Sequence, residues 1–127
     1  WNRLNPDKPA KQCYIESQLG NSKTPIIAVS DNMAAVPDMV RKWMPENYEV
    51  LGTDGFGRSD TREALRRFFE IDGVAVTLAA LSQLVRKGDI DAKVYQKAVK
   101  KFGVSNERID ITELWFSDAL MKQNLQR

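Results

Sequence analysis

Residues 48–62 read YEVLGTDGFGRSDTR, and this stretch decides the fold class because it joins a short strand to a helix through a glycine-rich loop. Its first four residues have the length and composition of a strand. The glycines at positions 52, 55 and 57 permit backbone conformations that other residues rarely adopt. Ser59 and Asp60 then supply side-chain oxygens that can cap a helix N-terminus. The stretch therefore predicts a strand, a tight turn and a helix that begins within residues 59–61.

The same loop has a second interpretation, because glycine-rich turns before a helix can bind anions through backbone N–H groups. Its glycine order is Gly-x-x-Gly-x-Gly, whereas the dinucleotide fingerprint is Gly-x-Gly-x-x-Gly, and the Gly-Lys-Ser/Thr of phosphate loops is absent. Asp54 and Asp60 would also repel a phosphate unless Arg58 and Arg62 offset them. A structural turn is therefore favoured over an intrinsic nucleotide site, and an anion site stays as the alternative.

Upstream of the loop, the pattern predicts a second strand and a crossover helix. Residues 26–29, IIAV, form a continuous apolar run of the kind found in strands buried on both faces. Residues 33–44 carry apolar side chains at helical spacing, and Pro37 fits only in the first turn of that helix. Two parallel strands joined by this helix would cross over right-handed. Residues 13–19 alternate in a way that predicts an edge strand.

Downstream of the loop, the sequence predicts four helices. The first presents Leu65, Phe68 and Phe69 on one side, and the next ends at Gly88 after two cations. Asp91 is predicted to cap the third helix and Gly103 to end it, and residues 109–125 are predicted to form a terminal helix. Two clear strands beside so many helices indicate an α/β fold whose sheet lacks strands at its N-terminal side.

Length and charge restrict the possible partners. The chain has 127 residues, which is one domain's worth, and a net charge of +2 from 19 basic and 17 acidic residues. This near-balance gives no electrostatic reason to expect nucleic acid or an anionic membrane as a partner. The longest apolar run, residues 74–81, is far short of the roughly 20 residues of a membrane span. The sequence therefore predicts a soluble protein.

The chain contains no histidine, which excludes Ser-His-Asp and Cys-His catalysis and histidine metal sites within it. Its one cysteine, Cys13, cannot form an internal disulfide and is expected to be inert. Asp31, Asp54 and Asp60 could converge near the carboxyl ends of the two strands and hold magnesium. Because two of these aspartates are equally good helix caps, the capping interpretation is favoured.

Several stretches together resemble one enzyme family. They are WNRLNP (1–6), IIAVSDNM (26–33), residues 36–72, AALSQLVRKGDID (79–91) and KAVKKFG (97–103). In this order they resemble the carboxyl-terminal domain of the thiamine-dependent pyruvate dehydrogenase first component, of the homodimeric bacterial type in the transketolase superfamily. The stretch LGTDGFGRSDTR is the most specific marker, whereas nothing beyond about residue 104 is similar to the family.

The resemblance implies a three-layer α/β/α domain with a mixed sheet, lacking its first strands here. It divides the chain into an irregular arm with a possible edge strand (1–24), a partial transketolase C-terminal-like domain (25–104) and a helical tail (105–127). The family decarboxylates pyruvate and reductively acetylates lipoyl groups in the bacterial cytoplasm, using thiamine diphosphate and magnesium. Those cofactors are held by upstream domains, so the resemblance implies no catalytic, cofactor or metal residue in this chain.

The expected role of the chain is therefore structural. Its partners would be the remaining domains of the parent enzyme, the homodimer mate and the lipoyl acyltransferase component. The loop is expected to face neighbouring domains, through Gly52, Asp54, Gly55, Phe56, Gly57, Arg58, Ser59 and Asp60. The alternative is a free-standing module that binds a small molecule, an anion or a protein through the same fold.

Overall fold

The computed structural model describes residues 1–105, and within them two strands and five α-helices are present. The elements are α1 (Tyr14–Leu19), β1 (Ile26–Val29), α2 (Ala35–Asp38), β2 (Tyr48–Leu51), α3 (Arg62–Phe68), α4 (Gly73–Lys87) and α5 (Ala92–Phe102). Two short 3₁₀ turns at Asn2–Leu4 and Arg41–Trp43 complete this set. The predicted helix at 109–125 and most of the predicted tail lie outside the described residues.

The two strands pair in parallel, with Ile26 opposite Tyr48 and Val29 opposite Leu51. Both strand predictions and their parallel arrangement are confirmed. Because alternate residues of a parallel strand bond to the same neighbour, Ile27 and Val29 direct their backbone groups away from β2. The described part of the chain therefore has a two-stranded sheet whose β1 side carries an open edge.

The crossover is not the single helix predicted for 33–44. It consists of the four-residue α2 followed by the 3₁₀ turn Arg41–Trp43. Pro37 is the third residue of α2, so its predicted place in the first turn is confirmed. The crossover ends at Met44, whose extended backbone is the conformation that the following Pro45 imposes.

The prediction of an edge strand at 13–19 is wrong, because Tyr14–Leu19 is a helix. Its first turn is stabilised locally, since the Cys13 N–H donates to the Glu16 carboxylate at 3.4 Å and the Ser17 N–H donates to the Cys13 carbonyl at 3.0 Å. Tyr14 is 81% exposed, so the alternation of side chains that favoured a strand does not bury one face.

Helix α3 begins where predicted but uses a different cap. The Thr61 hydroxyl accepts from the Ala64 N–H at 3.3 Å, whereas Ser59 and Asp60 were the predicted caps. Asp60 instead accepts from the Thr61 N–H at 2.7 Å. Three consecutive residues can each supply a capping oxygen, and only the last has its extended backbone directly before the helix.

The predicted end of α4 at Gly88 and the predicted ends of α5 at Asp91 and Gly103 are confirmed, whereas the Asp72 cap of α4 was not predicted. The Asp72 carboxylate accepts from the Ala75 N–H at 2.8 Å, and the Asp91 carboxylate accepts from the Lys93 N–H at 2.7 Å. Gly88 and Gly103 end the two helices with φ of 82° and 64°, values that favour glycine over residues with a Cβ atom.

The core of the described residues is small. Helix α4 packs against β1 and α5, and the buried apolar residues of the described part are Tyr48 and Ala79, which are 4% and 7% exposed. Many large apolar side chains are instead substantially exposed, among them Trp1, Leu4, Val29, Met33, Met39, Trp43 and Phe56. The α/β class is confirmed, and these 105 residues bury little apolar surface by themselves.

One segment has the length and composition of a possible membrane span. The 26 residues Arg62–Lys87 include a window of mean hydropathy 1.5. Length and composition alone are weak evidence, because an ordinary core helix can satisfy both. Here the segment is divided at Asp72, which caps α4, and α4 has 15 residues against the roughly 20 that a span needs.

Candidate functional site at the glycine-rich loop

The start of the loop is hydrogen-bonded to the segment that follows β1. The Thr53 N–H donates to the Asn32 carbonyl at 2.9 Å, and the Thr53 hydroxyl donates to the Asp31 carbonyl at 3.0 Å. Just before them, the Ser30 N–H donates to the Leu51 carbonyl at 3.0 Å. These bonds continue the pairing of the two strands beyond their ends, so the loop leaves the sheet in a fixed direction.

Asp54 and Gly52 complete this attachment. The Asp54 carboxylate accepts from the Ala34 N–H at 3.0 Å, in a part-buried bond between residues 20 apart in sequence. A Cβ atom at Gly52 would lie 2.6 Å from the Ala34 Cα and 2.9 Å from the Asn32 carbonyl oxygen. Gly52 is therefore required for the close approach of two backbones, and Asp54 holds that approach in place.

The other two glycines differ from Gly52. Gly55 has φ of 97°, so a side chain there would strain the backbone. A Cβ atom at Gly57 would meet nothing within 4 Å. Phe56, between them, is 62% exposed. The prediction of a conformationally demanding turn thus has a structural basis at Gly52 and Gly55, but not at Gly57.

A cavity of about 460 Å³ lies beside the loop. Its walls come from the loop, from the end of β1 and from α3 and the residues just after it. The residues that line it are Asp31, Thr53, Gly55, Gly57, Arg58, Asp60, Arg62, Leu65, Arg66, Phe69 and Ile71. The structure thus brings Gly55, Gly57, Arg58 and Asp60 of the predicted loop to one cavity, whereas Gly52, Asp54, Phe56 and Ser59 do not line it.

The charge of this cavity is mixed and slightly positive. Arg58, Arg62 and Arg66 contribute three cations, and Asp31 and Asp60 contribute two anions. Within residues 1–105 none of the three arginines forms an ion pair with an acidic side chain. The Arg58 guanidinium instead lies over the Phe68 ring, 4.3 Å from its centroid. Arginines without a carboxylate partner can bind an oxyanion.

The magnesium interpretation of the three aspartates is wrong for the described residues. No group of three or more metal-binding side chains occurs within residues 1–105. The Asp54 carboxylate is engaged with Ala34, and one Asp60 oxygen is engaged with Thr61. Cys13 is exposed and has no disulfide partner.

A second cavity, of about 560 Å³, was not predicted from the sequence. It lies between β2, α4 and α5, and Leu51, Leu78 and Phe102 contribute to its apolar walls. At one side the Gln83 amide donates to the Glu49 carboxylate at 2.6 Å. The available signal was the apolar residues of α4 and α5, which recur at helical spacing in the sequence.

Tyr48 is a buried titratable residue whose pKa is shifted by its surroundings. Its hydroxyl donates to the Pro37 carbonyl at 2.6 Å, and Arg41 lies over its ring with the guanidinium 5.3 Å from the centroid. Burial raises the pKa of Tyr48 above 10.0, and the positive charge of Arg41 opposes this shift. Tyr48 thereby ties β2 to the crossover.

Comparison with known proteins agrees with the resemblance seen in the sequence. Residues 1–72 match the family described as the transketolase-like TK C-terminal domain. Over 109 residues the chain is 49% identical to a pyruvate dehydrogenase E1 component of Pseudomonas aeruginosa, covering 85% of this chain and 12% of that protein. It is 46% identical over 102 residues to one from Mycolicibacterium smegmatis, covering 80% of this chain and 11% of that protein.

The E1 component of Escherichia coli is 40% identical over 111 residues, covering 87% of this chain and 12% of that protein. The chain therefore spans about one eighth of the length of the curated relatives that it matches. The predicted similarity to the pyruvate dehydrogenase first component is confirmed by these matches. Because the match covers only 12% of these relatives, it shows which region of an E1 component the chain resembles.

Proposed function

Because the chain belongs to the transketolase-like TK C-terminal domain family, we propose that it is a non-catalytic structural part of a pyruvate dehydrogenase E1-type protein. The whole protein would decarboxylate pyruvate and reductively acetylate lipoyl groups in the bacterial cytoplasm. The chain alone would be inactive. In the whole protein it would contribute two strands and several helices to a three-layer α/β/α domain with a mixed sheet.

The observation that supports this proposal is the small core of residues 1–105, which lies beside a sheet edge that no further strand covers within those residues. Tyr48 and Ala79 are the buried apolar residues of the described part, while Val29 on β1 is 45% exposed. A domain is normally stabilised by a much larger buried apolar area. The open β1 edge and the exposed apolar side chains are the surfaces that further strands and neighbouring domains of a larger protein would cover.

The loop would face those neighbouring domains. Phe56 is 62% exposed at the tip of a turn whose base is fixed by Gly52 and Asp54. A rigid base with an exposed aromatic tip fits a contact between domains, because little conformational entropy is lost on docking. The contact would involve Gly55, Gly57, Arg58, Ser59 and Asp60 together with Phe56.

Cofactors would be bound elsewhere in the whole protein. No histidine is available, and no cluster of metal-binding side chains occurs within residues 1–105. We propose that thiamine diphosphate and magnesium are held by other domains of the whole protein. The partners of the whole protein would be a second copy in a homodimer and the lipoyl acyltransferase component.

Calorimetric titration of this chain with thiamine diphosphate and magnesium tests the non-catalytic role. We expect no binding heat, whereas an intact pyruvate dehydrogenase E1 component under the same conditions serves as the positive control. Stoichiometric binding by this chain would contradict the proposal.

A second candidate function is a free-standing binding module, and the cavity beside the loop is the observation that favours it. Chemical-shift changes centred on Gly55, Gly57 and Ser59 on addition of phosphate would support this candidate, and their absence would count against it.

A further inference from the structure

The cavity beside the loop combines an apolar wall with three arginines that form no ion pair within residues 1–105. Arg62 and Arg66 are four residues apart, so they lie on the same side of α3, and Arg58 reaches the cavity from the loop. The fork of a guanidinium matches the oxygens of a phosphate group. All three arginines line one cavity of about 460 Å³, a volume within the usual range of small-molecule sites.

Two features make the arginines available to a ligand. Arg58 is held over the Phe68 ring at 4.3 Å, which restricts its position without consuming its hydrogen-bond donors. No acidic side chain within residues 1–105 lies in ion-pair distance of Arg58, Arg62 or Arg66. Asp60 is a lining residue, but one of its oxygens already accepts from the Thr61 N–H at 2.7 Å.

The apolar wall restricts the chemistry of the ligand further. Leu65, Phe69 and Ile71 line the cavity and are only partly exposed, whereas the arginines are exposed. A purely inorganic anion would use the cations and leave this apolar surface in water. A ligand with an anionic group and an apolar or aromatic body would use both.

We propose that this cavity binds an organic phosphate, with the phosphate between Arg58, Arg62 and Arg66 and the apolar body against Leu65, Phe69 and Ile71. The site is formed entirely by residues of this chain. Its loop residues are also those proposed to face neighbouring domains, so the test uses this chain alone, in which the three arginines are exposed. It involves no covalent step. Asp31 and Asp60 disfavour highly charged ligands, so a single phosphate group fits better than a polyphosphate.

The test is a titration of the isotope-labelled 127-residue chain with phenyl phosphate, followed by amide chemical shifts. We expect saturable shifts at Gly55, Gly57 and the α3 amides, and weaker binding of inorganic phosphate at the same positions. Arg62→Gln combined with Arg66→Gln should weaken phenyl phosphate binding by at least about tenfold, since each removes a charge-assisted contact.

The matched control is Arg86→Gln combined with Lys97→Gln, which removes the same net charge from exposed positions that do not line the cavity. This control should bind as the unmodified chain does. Circular dichroism checks that both variants retain their helices.

Non-saturable shifts, or equal weakening in the control, would show a general charge effect and overturn the proposal. Equal affinity for inorganic phosphate would overturn the assignment of the apolar wall. Thiamine diphosphate calorimetry tests the structural role separately.

Discussion

At Gly52, the absence of a side chain is a packing requirement. A Cβ atom there would lie 2.6 Å from the Ala34 Cα, a distance that forces one of the two backbones to move. We expect Gly52→Ala to lower the free energy of unfolding by about 1–3 kcal/mol, the usual cost of overpacking. Urea unfolding measures this difference. Gly57→Ala is the matched control, because a Cβ atom there meets nothing within 4 Å, and equal loss in both variants would contradict the argument.

Tyr48 links folding stability to alkaline pH. Burial, the largest cause, raises the pKa of Tyr48 above its unfolded value of 10.0, with a smaller contribution from the charge of Asp38 and an opposing one from Arg41. The neutral phenol is therefore favoured in the folded state, and its contribution is complete below pH 10.0 and lost as the pH rises through the folded pKa.

We expect Tyr48→Phe to remove part of the decline in stability at alkaline pH, at the cost of the hydrogen bond to the Pro37 carbonyl. Unfolding midpoints measured between neutral and strongly alkaline pH test this. Tyr14→Phe is the control, because Tyr14 is 81% exposed. If the pH profile of Tyr48→Phe matched that of the unmodified chain, the assignment to Tyr48 would be wrong.

The residues of the glycine-rich loop also show which structural features could be predicted from the sequence and which could not. The sequence predicted that the loop is a demanding turn, and Gly52 and Gly55 bear this out. It treated Asp54 as an obstacle to phosphate or a metal ligand, whereas Asp54 accepts a hydrogen bond from Ala34. That bond depends on the relative placement of two loops 20 residues apart, which no local pattern encodes.

At the level of the secondary-structure elements, Asp72 at the start of α4 makes both a capping hydrogen bond and an ion pair. The contributions of these two interactions to stability can be measured separately. One Asp72 oxygen accepts from the Ala75 N–H at 2.8 Å, and the other accepts from the Arg67 guanidinium at 3.1 Å. Asp72→Ala should cost about 1 kcal/mol through loss of the cap. Asp72→Asn keeps an acceptor and should cost less than about 0.5 kcal/mol, since Arg67 is largely exposed. Thermal unfolding compares the two, and equal losses would mean that the ion pair dominates.

The strands and the longer helices could be predicted because their signals are local. IIAV at 26–29 and YEVL at 48–51 are strands with the predicted bounds, and α4 and α5 end at the predicted glycines. Residues 13–19 were predicted incorrectly as a strand. A stretch of six or seven residues can match both the two-residue period of a strand and the 3.6-residue period of a helix. The crossover was predicted as one helix because its break depends on contacts with β2, including the bond from Arg41 to the Tyr48 carbonyl.

For the molecule as a whole, the open edge of β1 predicts association. Val29 lies on β1, directs its backbone away from β2 and is 45% exposed, and no further strand pairs with β1 within residues 1–105. An uncovered strand edge with apolar side chains can pair with another chain. We expect light scattering of this chain to give an average mass above that of one molecule.

Val29→Lys should shift the mass toward that of one molecule, because a charge on an edge strand opposes pairing. Val94→Lys is the matched control, since Val94 is 47% exposed and lies on helix α5 instead of a strand. A monodisperse monomer for the unmodified chain, or an equal effect of both substitutions, would refute edge pairing.

The bonds that join the glycine-rich loop to the segment after β1 also bear on the order of folding. They connect residues only 20 to 22 positions apart, so the entropy lost in closing this part of the chain is modest. Contacts of short sequence separation tend to form early, and residues 26–54 are therefore the natural nucleus. Substituting Thr53 should slow refolding in stopped-flow measurements, whereas substituting Asp91 at the start of α5 should mainly accelerate unfolding. The loop that marks the family would then also determine how quickly the chain reaches its native state.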